Sequence, residues 1–189
     1  MSDAVDKVRR RLLHASACLK KAGVPYAVIG GNAVAAWVSR VDESAVRNTR
    51  DVDILLRRAD LPRAVAAMEQ AGYLHRRVAS LGRGGTMNVF LDSAEGKVRD
   101  AVHIVFAGEP IRPECPVGSE DVNDSEDAGD FQLISLAALV RMKLTAWRDK
   151  DRMHLRDLQA AGLLNNTPLT GLTPVLQERL DFIVANPED

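Results

Sequence analysis

Two acids set the chemistry this chain could carry. Asp51 and Asp53 stand two residues apart in the run Thr49-Arg50-Asp51-Val52-Asp53-Ile54-Leu55. On a strand, alternate side chains leave on the same face. Both carboxylates would then point one way, roughly 6–7 Å apart along the strand at a rise of about 3.3 Å per residue. Val52 and Ile54 would point the other way, into a core. Like charges held that close repel unless a cation or a cationic substrate sits between them. A Mg²⁺-dependent phosphoryl-transfer site needs this arrangement. Upstream, Gly30-Gly31 separates an apolar run, Pro25–Ile29, from Asn32–Ser39, which is rich in Ala and Val. A strand, a glycine turn and a helix start gather free backbone N–H groups at one spot, which suits phosphate. Glycine there lets a ligand approach the backbone closely.

The elements that must position these residues can be read from periodicity. Val5, Val8, Leu12, Ala15 and Leu19 recur at helical spacing, so a helix over residues 3–22 is expected, stopped by Gly23. Its Arg9, Arg10, Arg11, Lys20 and Lys21 read as a solvated face, or as a contact for tRNA or nucleotide. After a polar loop at 41–50 comes the strand 51–57. Asp60 and Pro62 then open a helix that runs to about Ala71. Strands are expected over 74–80, 86–91 and 100–106, with turns at Gly82–Gly85 and Asp92–Gly96. Residues 108–130, rich in Pro, Asp, Glu and Gly, read as a surface connection whose acidic end, Glu120–Asp130, could serve a partner. Helices follow over 133–147, over 149–161 and from Thr173-Pro174 onward. The fold class is therefore α/β (α+β), a mixed sheet flanked by helices. It divides into a core at 1–110, the connection at 111–130 and a C-terminal helical region at 131–189.

The order of these pieces resembles the nucleotidyltransferase superfamily, the fold shared with DNA polymerase β. The residues that carry the resemblance are Gly30-Gly31 and Asp51-Val52-Asp53, with Arg47, Thr49 and Arg50 ahead of the acids. Lys143, Arg148-Asp149-Lys150-Asp151 and Asp157-Leu158 are similar to the helical motif of the small bacterial AbiEii and MenT-like toxin group. The resemblance spans residues 25–160. It implies that Asp51 and Asp53 hold Mg²⁺ (or Mn²⁺) and that Gly30, Gly31, Asn32, Thr49 and Arg50 bind the nucleotide. Lys143 would give a phosphate a positive charge, and Asp151 or Asp157 would be a further acid. The implied reaction moves an NMP from an NTP to a hydroxyl of tRNA or protein, in a toxin–antitoxin setting with an antitoxin partner.

One position departs from that pattern. The superfamily places a third carboxylate on a later strand, where this chain reads Asp100-Ala101-Val102-His103-Ile104. His103 stands at the aligned position, and Asp100 has the opposite parity. Three readings follow. Asp100 is the third metal acid, reached through a bulge; His103 is a ligand or general base; or one metal site is degenerate and the chain binds nucleotide or a partner without turnover. On helix 149–161, Asp151, His154 and Asp157 fall three apart along one face, as either a solvated face or a supporting network beside Lys143.

Composition narrows the remaining classes. The net charge is −1 over 189 residues, so any polyanion site must be a local patch. The two cysteines, Cys18 and Cys115, make neither a disulfide framework nor a zinc site, which fits a reducing cytoplasm. Aromatic residues are 4% of the chain, too few for a single-strand stacking platform. The N-terminus has no apolar signal region, and no run approaches the ~20 apolar residues of a membrane span.

Overall fold

A computed structural model of the chain describes residues 2–79 and 85–187, with side chains from Ala4 onward. The expected turn at Gly82–Gly85 and the end of the strand before it lie, apart from Gly85, outside the described residues. Seven strands form one mixed sheet: β1 (Tyr26–Ile29), β2 (Val52–Leu56), β3 (Leu74–Ala79), β4 (Thr86–Leu91), β5 (Val102–Phe106), β6 (Ser125–Asp127) and β7 (Gln132–Ile134), in the order β3-β4-β5-β2-β1-β7-β6. The helices are α1 (Ser2–Lys21), α2 (Gly30–Ser39), α3 (Leu61–Gln70), α4 (Leu136–Ala146), α5 (Asp149–Ala160) and α6 (Pro174–Ala185).

The strand that carries the acids lies in mid-sheet. β2 runs antiparallel to β1 and parallel to β5, so Asp53 has Ile29 on one side and His103 on the other. Helices cover both faces of this strand. Val52, Ile54 and Leu56 pack with Leu12, Ala15 and Leu19 of α1 and Ala64 and Met68 of α3. Leu55, on the opposite face, packs with Ala33 and Val38 of α2, Leu139 of α4, and Leu155 and Leu158 of α5. Burial on two faces explains why the strand reads as a nearly continuous apolar run broken only by its acids. Each fully buried Leu or Ile here contributes about 1.5–3 kcal/mol of transfer free energy, the force that clamps α2 and α5 over the Asp53 face.

Three local expectations are corrected. Leu133 and Ile134 belong to β7 rather than to the start of the next helix, and β7 lies parallel to β1 at Val28. A three-residue strand is too short to show its period of two, so its apolar pair merges with the helical pattern behind it. Ser135 then caps α4, its hydroxyl accepting the N–H of Ala138. Asp60 caps α3 without a side-chain bond, its carboxylate turning instead to Arg63. Asp100 lies on the 3₁₀ turn Val98–Asp100, ahead of β5 rather than within it.

Candidate active site

The glycine pair meets the acids directly. α2 starts at Gly30, immediately after β1, with no side chain capping its first turn and no acid in it. Its free N–H groups therefore remain available to an anion. Gly30 has φ +69°, and a Cβ there would lie 2.8 Å from Asp53 Cβ and Cγ and collide with Oδ2. A Cβ on Gly31 would come within 3.0 Å of Thr49 Cβ and Oγ1. These glycines let the helix start pack onto the acidic strand, in addition to leaving room for a ligand. Gly30→Ala is expected to cost at least about 1–2 kcal/mol of stability through the left-handed backbone alone. It should also push Asp53 aside. Thermal unfolding and Mn²⁺ affinity, both lower than wild type, check this.

The loop before β2 is tied to the same spot. The Thr49 hydroxyl donates to Asp51 Oδ1 at 2.7 Å, and the Asn32 amide donates to the Asp51 carbonyl at 2.7 Å. Asn32 thus holds the backbone of the first acid from the first turn of α2. Thr49 fixes the rotation of its carboxylate.

Asp51, Asp53 and His103 converge. A ligand atom from each lies within 4.8 Å of the others. His103 Nδ1 is 3.6 Å from Asp51 Oδ2 and 3.7 Å from Asp53 Oδ1. Its other ring nitrogen, Nε2, lies 2.6 Å from the Val98 carbonyl and must donate to it, since a carbonyl only accepts. In the neutral ring the lone pair is then on Nδ1, aimed at two carboxylates. That arrangement is repulsive until a proton or a metal cation sits among the three. Burial pushes the Asp53 carboxyl up, but the adjacent imidazole and the charges of His103, Lys150 and Lys143 outweigh it and hold Asp53 below its ordinary value. Burial pulls His103 down, but Asp53, the Val98 carbonyl and the charge of Asp51 outweigh it and raise the ring above its ordinary value. Asp100 lies outside the three-residue group; its carboxylate is 37% exposed and faces Arg99 at 3.8 Å.

The C-terminal helices bring a second charged cluster to the same floor. Lys143, on α4, is buried and gives its ammonium to Asp151 Oδ1 at 3.1 Å. Asp151, on α5, is fully buried and also takes Arg148 Nε at 2.5 Å. Trp147, with φ +49°, makes the sharp turn between the helices, so that Arg148 and Asp151 cap the start of α5. Burial pulls the Lys143 ammonium down, opposed by Asp151 and Asp53. Burial raises Asp151, but Arg148 and Lys143 outweigh it and hold it at about 2. A small cavity bounded by Gly30, Asp53, Lys143, Arg148 and Asp151 joins this cluster to the first. Lys143 was expected from the sequence as a phosphate ligand; its charge reaches Asp53, while its hydrogen bond is spent on Asp151. Arg148 was named only within the helical motif and given no role, although an acid three residues after it and eight after Lys143 is a readable signal for a buried pair of cations.

Above this floor opens a cleft of about 710 Å³ between α2, the 45–50 loop and α5. Arg47, Arg50, Arg99 and Lys150 line it together with both acids. Arg47 spans it to Asp157 Oδ1 at 2.9 Å. His154 also lines it; burial, with Lys143 nearby, drives that ring down to about 4, so it is neutral at pH 7. Arg99 escaped the sequence reading, and Lys150 was named there only within the helical motif, because only the fold brings the β5 entry and the α5 start to one cleft.

No family model matches the chain, and no curated protein matches it. Solved structures do. A protein from H. pylori described as a candidate nucleotidyltransferase shares 14% identity at a TM-score of 0.55, over 100% of this chain and 79% of its own. The antibiotic-resistance factor ANT(2'')-Ia shares 16% identity at a TM-score of 0.50, over 97% of this chain and 90% of its own. The fold is therefore the one found in nucleotidyltransferases, as the sequence resemblance implies; the AbiEii and MenT-like subgroup is not among these neighbours.

Proposed function

We propose that this chain is a divalent-metal-dependent nucleotidyltransferase that moves an NMP from an NTP to a hydroxyl of an RNA acceptor, tRNA in the first instance. The observation that carries the reading is the convergence of Asp51, Asp53 and His103 beside the uncapped start of α2. The donor set fits a divalent cation: two carboxylates and a lone pair meet with no protein cation between them. An imidazole among the ligands favours Mn²⁺ over Mg²⁺, which prefers oxygen throughout. Bound there, the metal would supply positive charge to the phosphates. Two tasks are open to His103 Nδ1, and they exclude each other, since a lone pair given to a cation cannot take a proton. Its place inside the three-residue group favours the ligand task.

The chain's own groups do the rest. N–H groups at the start of α2 donate to the triphosphate oxygens. The buried Lys143–Asp151–Arg148 cluster adds a fixed positive field beside Asp53. Thr49 keeps the Asp51 carboxylate in one orientation. The acceptor oxygen bonds to the α-phosphorus, the bond from that phosphorus to the α–β bridging oxygen breaks, pyrophosphate leaves with the bond's electron pair, and the hydroxyl proton passes to solvent water. Preorganised charge, rather than covalent chemistry, lowers the barrier. Arg47, Arg50, Arg99 and Lys150 favour an anionic acceptor such as RNA over an uncharged protein side chain. Incubation with each α-labelled NTP, Mn²⁺ or Mg²⁺ and total tRNA tests the reading: label should enter RNA with wild type and not with Asp51→Ala. Retained transfer by the variant would remove the assignment.

A second reading rests on His103 standing where the superfamily carries its third acid. A chain that kept the fold and lost turnover would bind NTP by calorimetry without releasing pyrophosphate, and any metal-dependent release excludes it. A toxin–antitoxin role rests on the resemblance alone. Under it, expression of wild type should arrest colony growth, Asp51→Ala should not, and co-expression of a partner antitoxin should relieve the arrest. Growth unaffected by wild type would end that proposal.

A further inference from the structure

A second basic hollow lies on the other side of the sheet, and the proposed chemistry leaves it unused. Lys7, Arg10 and His14 are exposed on one face of α1, at positions i, i+3 and i+7. They border a hollow of about 390 Å³ whose wall is the buried Tyr73, stacked against His14 with ring centres 5.3 Å apart. Among the described residues neither Lys7 nor Arg10 makes an ion pair. Asp92, the one acid bordering the hollow, is engaged by Arg11, whose Nε lies 2.9 Å from each of its oxygens. The hollow thus keeps an excess of positive charge on a chain whose net charge is −1.

Arg11 also links this hollow to the active site. It is buried, and its Nη1 donates to the carbonyl of Arg50 at 3.4 Å, one residue before Asp51. Arg50 and Arg99 line the catalytic cleft and stand shortly before the entries of the central strands β2 and β5. Parallel β2 and β5 begin at the same end of the sheet, and antiparallel β4 ends there, just before Asp92. Cations of the cleft (Lys150, Arg50 and Arg99) and of the hollow (Arg10 and Lys7) thus flank one end of the sheet. Two basic hollows flanking one sheet end suit a nucleic-acid backbone that reaches from one to the other.

We propose that the α1 hollow is a second phosphate-binding site, which holds the backbone of an RNA acceptor while its hydroxyl end lies at Asp51 and Asp53. The inference rests on the RNA-acceptor reading above. It gives the α1 bases a task distinct from NTP binding. The test uses the full chain and fluorescently labelled total tRNA, with affinity measured across a salt series, beside calorimetric titration with NTP. Lys7→Glu/Arg10→Glu should weaken RNA binding at least about tenfold and flatten the dependence of log K on log salt by about one per lost phosphate contact. NTP affinity and thermal midpoint should stay at wild-type values. Lys20→Glu/Lys21→Glu, the same charge change at the far end of α1, should leave RNA binding within about twofold of wild type. Equal losses in both variants, or an unchanged affinity and salt slope in the first, would overturn the site. Wild type that transfers NMP to another acceptor and binds no RNA would overturn it while leaving the transferase reading intact. RNA bound through Lys7 and Arg10 without transfer from any NTP would leave the site standing and end the transferase reading.

Discussion

Asp53→Asn is expected to lower NMP transfer by at least about 10²–10³-fold while leaving the thermal midpoint within a few degrees of wild type. The two outcomes separate because Asp53 is poorly suited to a structural role. Its oxygens face a second carboxylate and the His103 ring, and among the described residues no other side chain donates to them. Asparagine fills the same space, keeps the fit against Gly30 and removes one of two repelling charges. Under the proposed reaction, what it removes from function is a ligand charge beside the triphosphate. Mn²⁺ affinity should fall in parallel, by roughly tenfold or more, as read by calorimetry. A variant that loses its fold along with its activity would instead mark Asp53 as a structural anchor.

Asp151→Ala is expected to behave in the opposite way, with a large loss of stability, about 3–5 kcal/mol in urea unfolding. Asp151 is fully buried and is the carboxylate that both Lys143 and Arg148 contact. Removing it strands the Lys143 ammonium in the interior. The pH dependence has a definite sign. The folded value of Asp151, about 2, lies below its ordinary value of 3.8, so its stabilising contribution is complete above about 3.8 and lost as pH falls through about 2. The wild-type advantage over the variant should therefore shrink between pH 5 and pH 2, by on the order of 2 kcal/mol. Lys143→Met/Asp151→Leu, which removes both charges and keeps the volume, should regain much of the lost stability. That double variant should still transfer poorly, because the Lys143 charge that reaches Asp53 is gone and Arg148 has lost the carboxylate that holds it in place. Full activity in it would confine the cluster to folding.

The part of the site legible in the sequence is the part encoded at short range. Asp51 and Asp53 stand out because acids at a spacing of two interrupt an apolar strand. His103 was singled out by the resemblance, at the position aligned with the superfamily's third acid, and its parallel register with Asp53 emerges only in the fold. The glycines were legible as a turn, but their close approach to Asp53 and Thr49 was not, since it depends on the angle at which α2 leaves the sheet. Asp100 illustrates the limit of parity arguments: a 3₁₀ turn before β5 takes it out of the alternation altogether. β6 and β7 were hidden because three residues carry no period. Lys143 was placed correctly near the buried edge, yet its partner could be found only once α4 and α5 were folded back on one another at Trp147.

In the proposed reaction, the Asp51–Asp53–His103 group supports transfer of an NMP to an acceptor hydroxyl. The most direct test of this is a single incubation with Mn²⁺, total tRNA and each α-labelled NTP in turn, scored both for labelled RNA and for released pyrophosphate. Wild type should give both, in equal amounts and with a preference among the four NTPs, and Asp53→Asn should give neither. Label and pyrophosphate absent from wild type with every NTP and either metal, or undiminished in Asp53→Asn, would contradict it.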